Sequence, residues 1–389
     1  MSTVPRPVIP ASRHAQRLER ALSATSAHGL DALLVGVGPD LQYLTGYLAM
    51  PLERLTMLVL SSRGAAIMVP RLERGAAEAG LQGDVEIVTF DEGADPYALV
   101  AARVDDCRAG VATLGVSDTL WASHLLAIQA AVGGDPRFAS ADFRVASTVL
   151  RELRMVKDAD EIELLRLAAH AADRVVAQIA AGRLVGRTEA DVAAEVRARL
   201  LAEGHEEASF AIVGSGPNSA SPHHEASERV IQAGEPIVLD IGGKLSGYGS
   251  DITRTLWVTG GDPTKGPDDE FRHLFAVLHA AQAAATRAVA PDVSCEAVDA
   301  AARQIIDAEG YGGAFFHRTG HGIGLEAHED PYLIAGNGEP LQPGMAFSVE
   351  PGIYLVGRYG ARIEDIVVCG PDGPITLNDA PRELYVVDG

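Results

Sequence analysis

TEADVAAEVRARLLAEG at 188–204 and SCEAVDAAARQIIDAEG at 294–310 read as two versions of one amphipathic helix. Each opens on a hydroxyl residue, Thr188 or Ser294, carries a valine four positions on, Val192 or Val298, and stops at Ala-Glu-Gly. A hydroxyl at the N-cap accepts a hydrogen bond from an otherwise unpaired backbone N–H, and a glycine past the last turn closes the helix. Each copy follows a long alanine-rich helical stretch and precedes a strand-rich region. The first of those long helices opens on Asp158 with Glu161, the spacing of a capping box. Such a repeat implies two related α/β halves with a site at the seam between them.

The 389 residues exceed one ordinary domain. Before the repeat, GLDALLVGV, RLTMLVLSS, GAAIMVP, VEIVTF and GVATLGV alternate with helical stretches such as RHAQRLERALSATSAHG, RLERGAAEAG and WASHLLAIQAAV. This order predicts a separate α/β domain over residues 1–148, leaving 149–389 for the duplicated part.

Two strand pairs in the duplicated part carry acids. PIVLDIGGKLSGYGSDITRTLWV reads as a hairpin through a Gly/Ser turn. A turn centred between Leu245 and Ser246 sets Asp240 opposite Asp251 on one face. AFSVEPGIYLVGRYGARIEDIVV reads as a hairpin about Gly357, which sets Glu350 opposite Glu364. Directly opposed side chains have Cβ atoms about 4.5–5.5 Å apart, where like charges destabilise a sheet unless a cation lies between them. HRTGHGIGLEAHED at 317–330 adds His317, His321 and His328 on a glycine-rich backbone, in which Gly320, Gly322 and Gly324 permit tight turns beside an imidazole. Four hard oxygen donors and one imidazole exceed what a single catalytic zinc requires and suit two divalent ions sharing carboxylates.

Composition narrows the alternatives. A net charge of −21 argues against nucleic-acid binding, which needs clustered Lys and Arg. Cys107, Cys295 and Cys369 are too few and too scattered for a disulfide framework or a thiolate metal site. Prolines interrupt the opening residues where a secretory signal would be apolar, and no apolar run approaches about 20 residues, so neither export nor membrane insertion is expected and the cytoplasm is the default. GSGPNSASP at 214–222 lacks the ending of a phosphate-binding loop and reads as a pocket loop.

DIGGKLSGYGSDITRT, HRTGHGIGLEAHEDP, VEPGIY and RIEDIVV, in this order, resemble the metal-dependent family of Xaa-Pro dipeptidase (prolidase), aminopeptidase P, methionine aminopeptidase and the creatinases. The resemblance spans most of the chain. It implies an α/β (α+β) architecture: an amino-terminal creatinase/prolidase-like domain at 1–148, then a pita-bread catalytic domain at 149–389 with pseudo-two-fold duplicated halves. Methionine aminopeptidases lack a large amino-terminal domain of this kind, and creatinases lack the complete metal set.

Carried over by motif, the metal ligands fall on Asp240, Asp251, His321, Glu350 and Glu364, with Asp251 and Glu364 bridging two divalent ions. Mn²⁺ comes first for this oxygen-rich set, with Co²⁺ or Zn²⁺ as alternatives. Glu350, His223, His328 and His317 would serve catalysis, and His223, His328 and Arg362 would contact a small peptide substrate. His224 has no counterpart role and reads as structural or surface. The resemblance implies hydrolysis of Xaa-Pro bonds, in dipeptides or at peptide amino termini, by a metal-bridging hydroxide, and a homodimer. Hydrolysis of a small non-peptide amide or other C–N bond on the same metals is the alternative activity.

Overall fold

The computed structural model describes residues 7–104, 112–134 and 141–389. Among these the chain forms two compact units, 8–154 and 155–389. Cys107 lies outside the described residues, while Cys295 and Cys369 are both buried. No described helix is long and apolar enough to cross a membrane.

The first unit runs α1 (Ala11–Ala27), β1 (Ala32–Gly36), α2 (Pro39–Thr45), β2 (Met57–Ser61), β3 (Gly64–Pro70), α3 (Arg74–Gly80), β4 (Val85–Phe90), α4 (Pro96–Val104), β5 (Thr113–Val116), α5 (Ala122–Gly133), β6 (Asp142–Val145) and α6 (Ser147–Met155). Its six strands lie in the order β4-β3-β2-β1-β5-β6, with mixed parallel and antiparallel pairs. Every residue of β1 and β2 is buried, as expected of central strands whose sequences are continuous apolar runs. The five apolar runs of this region all form strands. The sixth, DFRV, gave no signal because it is short and largely exposed.

The second unit begins with α7 (Ala159–Ala180), α8 (Glu189–Ala202), β7 (Glu207–Ser215), β8 (Glu235–Leu245) and β9 (Tyr248–Val258). A second series follows: α9 (Asp269–Ala288), α10 (Cys295–Ala308), β10 (Gly320–Gly322), β11 (Glu329–Leu333), β12 (Ala346–Val349), β13 (Gly352–Leu355), β14 (Tyr359–Arg362), β15 (Asp365–Gly370), β16 (Gly373–Thr376) and β17 (Tyr385–Val387). One sheet has the order β17-β9-β8-β7, another β11-β10-β12-β15-β16, and β13-β14 form a hairpin. The capping box of Asp158 and Glu161 is present, and Thr188 and Ser294 cap α8 and α10 through the N–H groups of Asp191 and Ala297.

The two series are built alike. The cap residues Thr188 and Ser294 make equivalent antiparallel bridges, to Val230 and Pro340. Ile231 N donates to Arg187 O, as Leu341 N does to Val293 O. Gly234 and Gly344, at φ +90° and +98°, donate to Val258 O and Cys369 O. IQAGEPIVLD (231–240) thus corresponds to LQPGMAFSVE (341–350), making Asp240 and Glu350 equivalent positions. Each series also has its own core: Val176, Val196, Leu239 and Ile252 in one, Leu278, Val298, Phe347 and Val367 in the other.

One expected register needs correction. The β8–β9 turn consists of Ser246 and Gly247, both in the left-handed region at φ 52° and 82°, a two-residue hairpin turn that matches the strand twist. Leu245 therefore pairs with Tyr248, Asp240 with Thr253, and Gly242 with Asp251. Asp240 and Asp251 are diagonal rather than directly opposed. A shift of two residues preserves the face, so both acids remain on the same side of the sheet.

Arg254, fully buried, ties the two series together. Its Nη1 donates to Thr253 O (2.9 Å) and Glu364 O (2.6 Å), its Nη2 to Asp365 Oδ1 (2.7 Å) and Ala380 O (2.8 Å), and its Nε to Pro381 O (2.7 Å). Asp365, also fully buried, accepts further from Gln282 and Arg382. Arg254→Met strands these acceptors and is expected to destabilise the unit by about 3–5 kcal/mol. Urea denaturation of the metal-free protein checks this, and an unchanged midpoint contradicts it.

Candidate metal centre

Asp240 and Asp251 project from β8 and β9, the central pair of the first sheet. His321 sits in β10, Glu350 directly after β12, and Glu364 between β14 and β15. The last two sit where a ladder breaks. Val349 pairs with Asp365 and Gly352 with Arg362, so the register about Gly357 holds on both sides of Glu350 and Glu364. Pro351 has no N–H to offer the ladder at this point. Glu364 pairs across the seam instead: its N–H donates to Thr253 O (3.1 Å), and Thr253 Oγ1 donates to its Oε2 (2.7 Å).

All five residues line one cavity of about 840 Å³. His223, His317, His328 and Arg362 line it too, and Phe210, Ile212, Phe316 and Ile334 provide apolar wall.

The electrostatics call for cations. His321 Nδ1 lies 3.2 Å from Gly322 O, which can only accept, so Nδ1 carries the proton. Nε2 then presents a lone pair 3.3 Å from Glu350 Oε1 and 3.7 Å from Asp251 Oδ2. Burial, reinforced by His328, depresses the His321 pKa to about 3, so a proton does not fill that gap. Atoms of Asp251, His321 and Glu364 lie within 4.8 Å of one another. Burial, with Asp240 and Glu350 nearby, holds Asp251 well above the usual carboxylate range. Burial with Asp251 and Glu350 does the same to Glu364. Burial also lifts Glu350 to about 7 against the pull of Arg362. Asp240 Oδ2 takes a 2.6 Å bond from Arg362 Nη2, yet its buried Oδ1 has no hydrogen-bond partner. Oxygen-rich donors, a neutral imidazole and an orphaned carboxylate oxygen fit divalent metal.

The histidines are fixed differently. His317 Nδ1 donates to Arg318 O (2.7 Å), leaving Nε2 to accept from the Tyr354 hydroxyl (3.0 Å), which accepts from Arg362 Nη1 (2.8 Å). Burial, aided by Arg362, lowers His317 to about 4. Arg362 also bonds Thr253 Oγ1 and Pro222 O, so its guanidinium is engaged with the protein on every nitrogen. His328 Nδ1 accepts from Arg318 Nη2 (3.2 Å), which leaves an Nε2–H to donate, and its ring packs 4.0 Å from that of His321. His223 is exposed at the cavity edge. His224 turns away and bonds the buried Glu189 (2.8 Å), a structural role.

Several supporting residues escaped the sequence reading. Tyr354 has no sequence feature that sets it apart from any other aromatic in a strand. Asp299 and Arg303 stand four residues apart on α10, a spacing common on exposed helix faces, yet Asp299 is buried and accepts from Thr319 N and Oγ1, while Arg303 donates to Phe315 O and His317 O. The correspondence of Asp240 with Glu350 was a signal available in IQAGEPIVLD and LQPGMAFSVE.

Residues 163–371 match the metallopeptidase family M24, and residues 17–156 match the creatinase/prolidase N-terminal domain. The chain belongs to metallopeptidase family M24. Across the family, it is 47% identical over 378 residues to a probable dipeptidase PepE of Mycobacterium tuberculosis, covering 96% of each chain. The dipeptidase PepE of Mycobacterium ulcerans superposes with a TM-score of 0.88 at 43% identity, over 98% of this chain and 99% of that one. A prolidase from Thermococcus sibiricus gives 0.87 at 35% identity, over 96% and 99%. The pita-bread architecture is therefore shared with M24 structures, and membership implies divalent metal.

A carboxyl whose pKa is raised by folding binds its proton more tightly in the folded state. It destabilises the fold above that pKa, and the penalty fades as pH falls through it. Metal-stripped protein is therefore expected to melt at lower temperature at about pH 8 than at about pH 6, with Glu350 titrating near 7 in that window. A saturating divalent cation should flatten the slope in calorimetry. A metal-free melting temperature that rises with pH contradicts this account.

Proposed function

We propose that this chain is a dinuclear-metal-dependent peptidase that hydrolyses the Xaa-Pro bond of dipeptides or of peptide amino termini. The observation that carries the reading is the neutral His321 Nε2 facing Glu350 and Asp251 in a cavity that also holds Asp240 and Glu364. The names of its relatives, dipeptidase and prolidase, support the same substrate class.

Asp240, Asp251, His321, Glu350 and Glu364 would hold two divalent ions, Mn²⁺ first among them, with Asp251 and Glu364 shared. When bound, such ions polarise a carbonyl and make water nucleophilic near neutral pH. The chain's own residues do the rest. Glu350 takes up a proton at its carboxylate and returns it to the departing nitrogen. His328, a donor through Nε2–H, stabilises the developing oxyanion or a substrate carboxylate. His223 supplies a second donor from the rim. Arg362, spent on Asp240 and Tyr354, orients the ligand carboxylate, and His317 is held behind Tyr354 as part of the same chain. Phe210, Ile212, Phe316 and Ile334 offer apolar surface for the Xaa side chain and the proline ring.

Metal-stripped enzyme reloaded with Mn²⁺, Co²⁺ or Zn²⁺ is expected to cleave Xaa-Pro or Xaa-Pro-Yaa peptides and to leave Xaa-Ala intact. Cleavage confined to Xaa-Pro makes it a dipeptidase, and preference for the longer peptides makes it an aminopeptidase. Bound metal without cleavage of either overturns the reading and directs the search to small non-peptide amides. Asp251→Asn is expected to abolish turnover while preserving the circular dichroism spectrum; wild-type turnover in that variant, at verified metal content, removes the shared-ligand assignment.

A further inference from the structure

Glu189 occupies the first position of α8, where an acid is ordinarily a solvent-facing partner of the helix dipole. Here it is fully buried, and donors surround it. Its Oε1 accepts from Ser215 N (2.8 Å), Ser215 Oγ (2.7 Å) and Asn218 Nδ2 (3.1 Å). Its Oε2 accepts from His224 Nε2 (2.8 Å), Ser227 N (3.1 Å), Ser227 Oγ (2.6 Å) and again Asn218 Nδ2 (3.1 Å). The backbone completes the clasp: Glu189 N donates to Arg229 O, and Ala190 N to Ser227 O.

These donors come from both ends of one loop, 215–218 and 224–227, and His223 stands between them. The middle of the loop is tied to the cavity: Ser219 Oγ accepts from Gly360 N (2.8 Å), and Pro222 O from Arg362 Nη2 (3.3 Å). We propose that Glu189 is a positioning residue for this active site, setting the place of His223 by clasping both ends of its loop. The proposal rests on the peptidase reading above.

The carboxylate form is required. An amide has the same shape, but its NH₂ would face donors that need an acceptor. Burial works against the charge, yet the hydrogen bonds from Ser227, Ser215 and His224 hold the Glu189 pKa at about 2. The second half of the unit has a parallel device: buried Asp299 on α10 binds Thr319 N and Oγ1, next to the segment that presents His317 and His321. In each half, the second helix sends an acid inward to fix a histidine-bearing loop.

The test is a double-mutant cycle on the full-length, metal-loaded enzyme with an Xaa-Pro dipeptide, comparing Glu189→Gln, His223→Ala and the double variant. Glu189→Gln is expected to lower kcat/KM about tenfold to a hundredfold, as small misplacements of reacting groups do, with metal content unchanged. The double variant should be no slower than His223→Ala alone. Multiplying losses, or wild-type kcat/KM in Glu189→Gln, overturn the proposal. If Glu189→Gln does not fold, Ser227→Ala and His224→Ala enter the same cycle with the same criterion. If the wild type cleaves no peptide, the functional reading fails, and the loop is judged by NMR of ¹⁵N-histidine-labelled protein. Displacement of the His223 ring signals by Ser227→Ala then supports the clasp, and unmoved signals overturn it.

Discussion

Four carboxylates and a neutral imidazole share a cavity whose nearby guanidinium, Arg362, is already engaged. Like charges out of water repel strongly, and without a cation they are relieved only by taking up protons and by the donors Arg362 and Thr253. Much of the catalytic unit serves to hold this arrangement in place. Strand pairing aligns Asp240 and Asp251, the broken ladder at Pro351 frees Glu364 to cross the seam, and Arg254 clamps the carbonyls of Thr253 and Glu364 from behind. The stability sacrificed at the centre is the driving force for capturing cations there.

Around this centre the residues differ in freedom. His321 is buried and fixed in its tautomer by Gly322 O, ready to donate a lone pair. His317 is locked behind Tyr354. His328 and His223 sit nearer solvent, where a donor can meet an incoming peptide. The acids and His321 of the cavity thus lie on strands or directly beside strand ends, the more exposed histidines lie on loops, and the buried acids Glu189 and Asp299 on the helices accept hydrogen bonds from those loops.

The family fold and the residues of the cavity were legible in sequence because chemistry restricts them. An acid or histidine required at a metal cannot drift, and the helix caps at Thr188 and Ser294 are local hydrogen bonds with local signatures. The β8–β9 register was misplaced by two residues because it depends on whether Ser246 adopts a left-handed conformation, which residue type alone does not decide. Glu189, Asp299 and Arg303 were invisible for another reason. Each sits where a helix usually exposes a charge, and only the tertiary fold buries Glu189 and Asp299 and brings Arg303 to the carbonyls of Phe315 and His317.

The Thr253–Glu364 bridge carries a consequence for how such a chain could have arisen. Asp240 pairs with Thr253, and the register sets Glu364 across from Glu350, so Thr253 and Glu364 are counterparts in the two halves, and they face one another. In an ancestral assembly of two identical halves, that position would meet its own copy across a symmetry axis. A carboxylate there would confront a second carboxylate, and a threonine would leave the seam without its acid. Joining the halves in one chain breaks the symmetry, letting one side keep a hydroxyl that donates while the other supplies the acid. Within one chain the two counterparts differ, and the contact across the seam becomes a donor facing an acceptor in place of two identical groups facing each other.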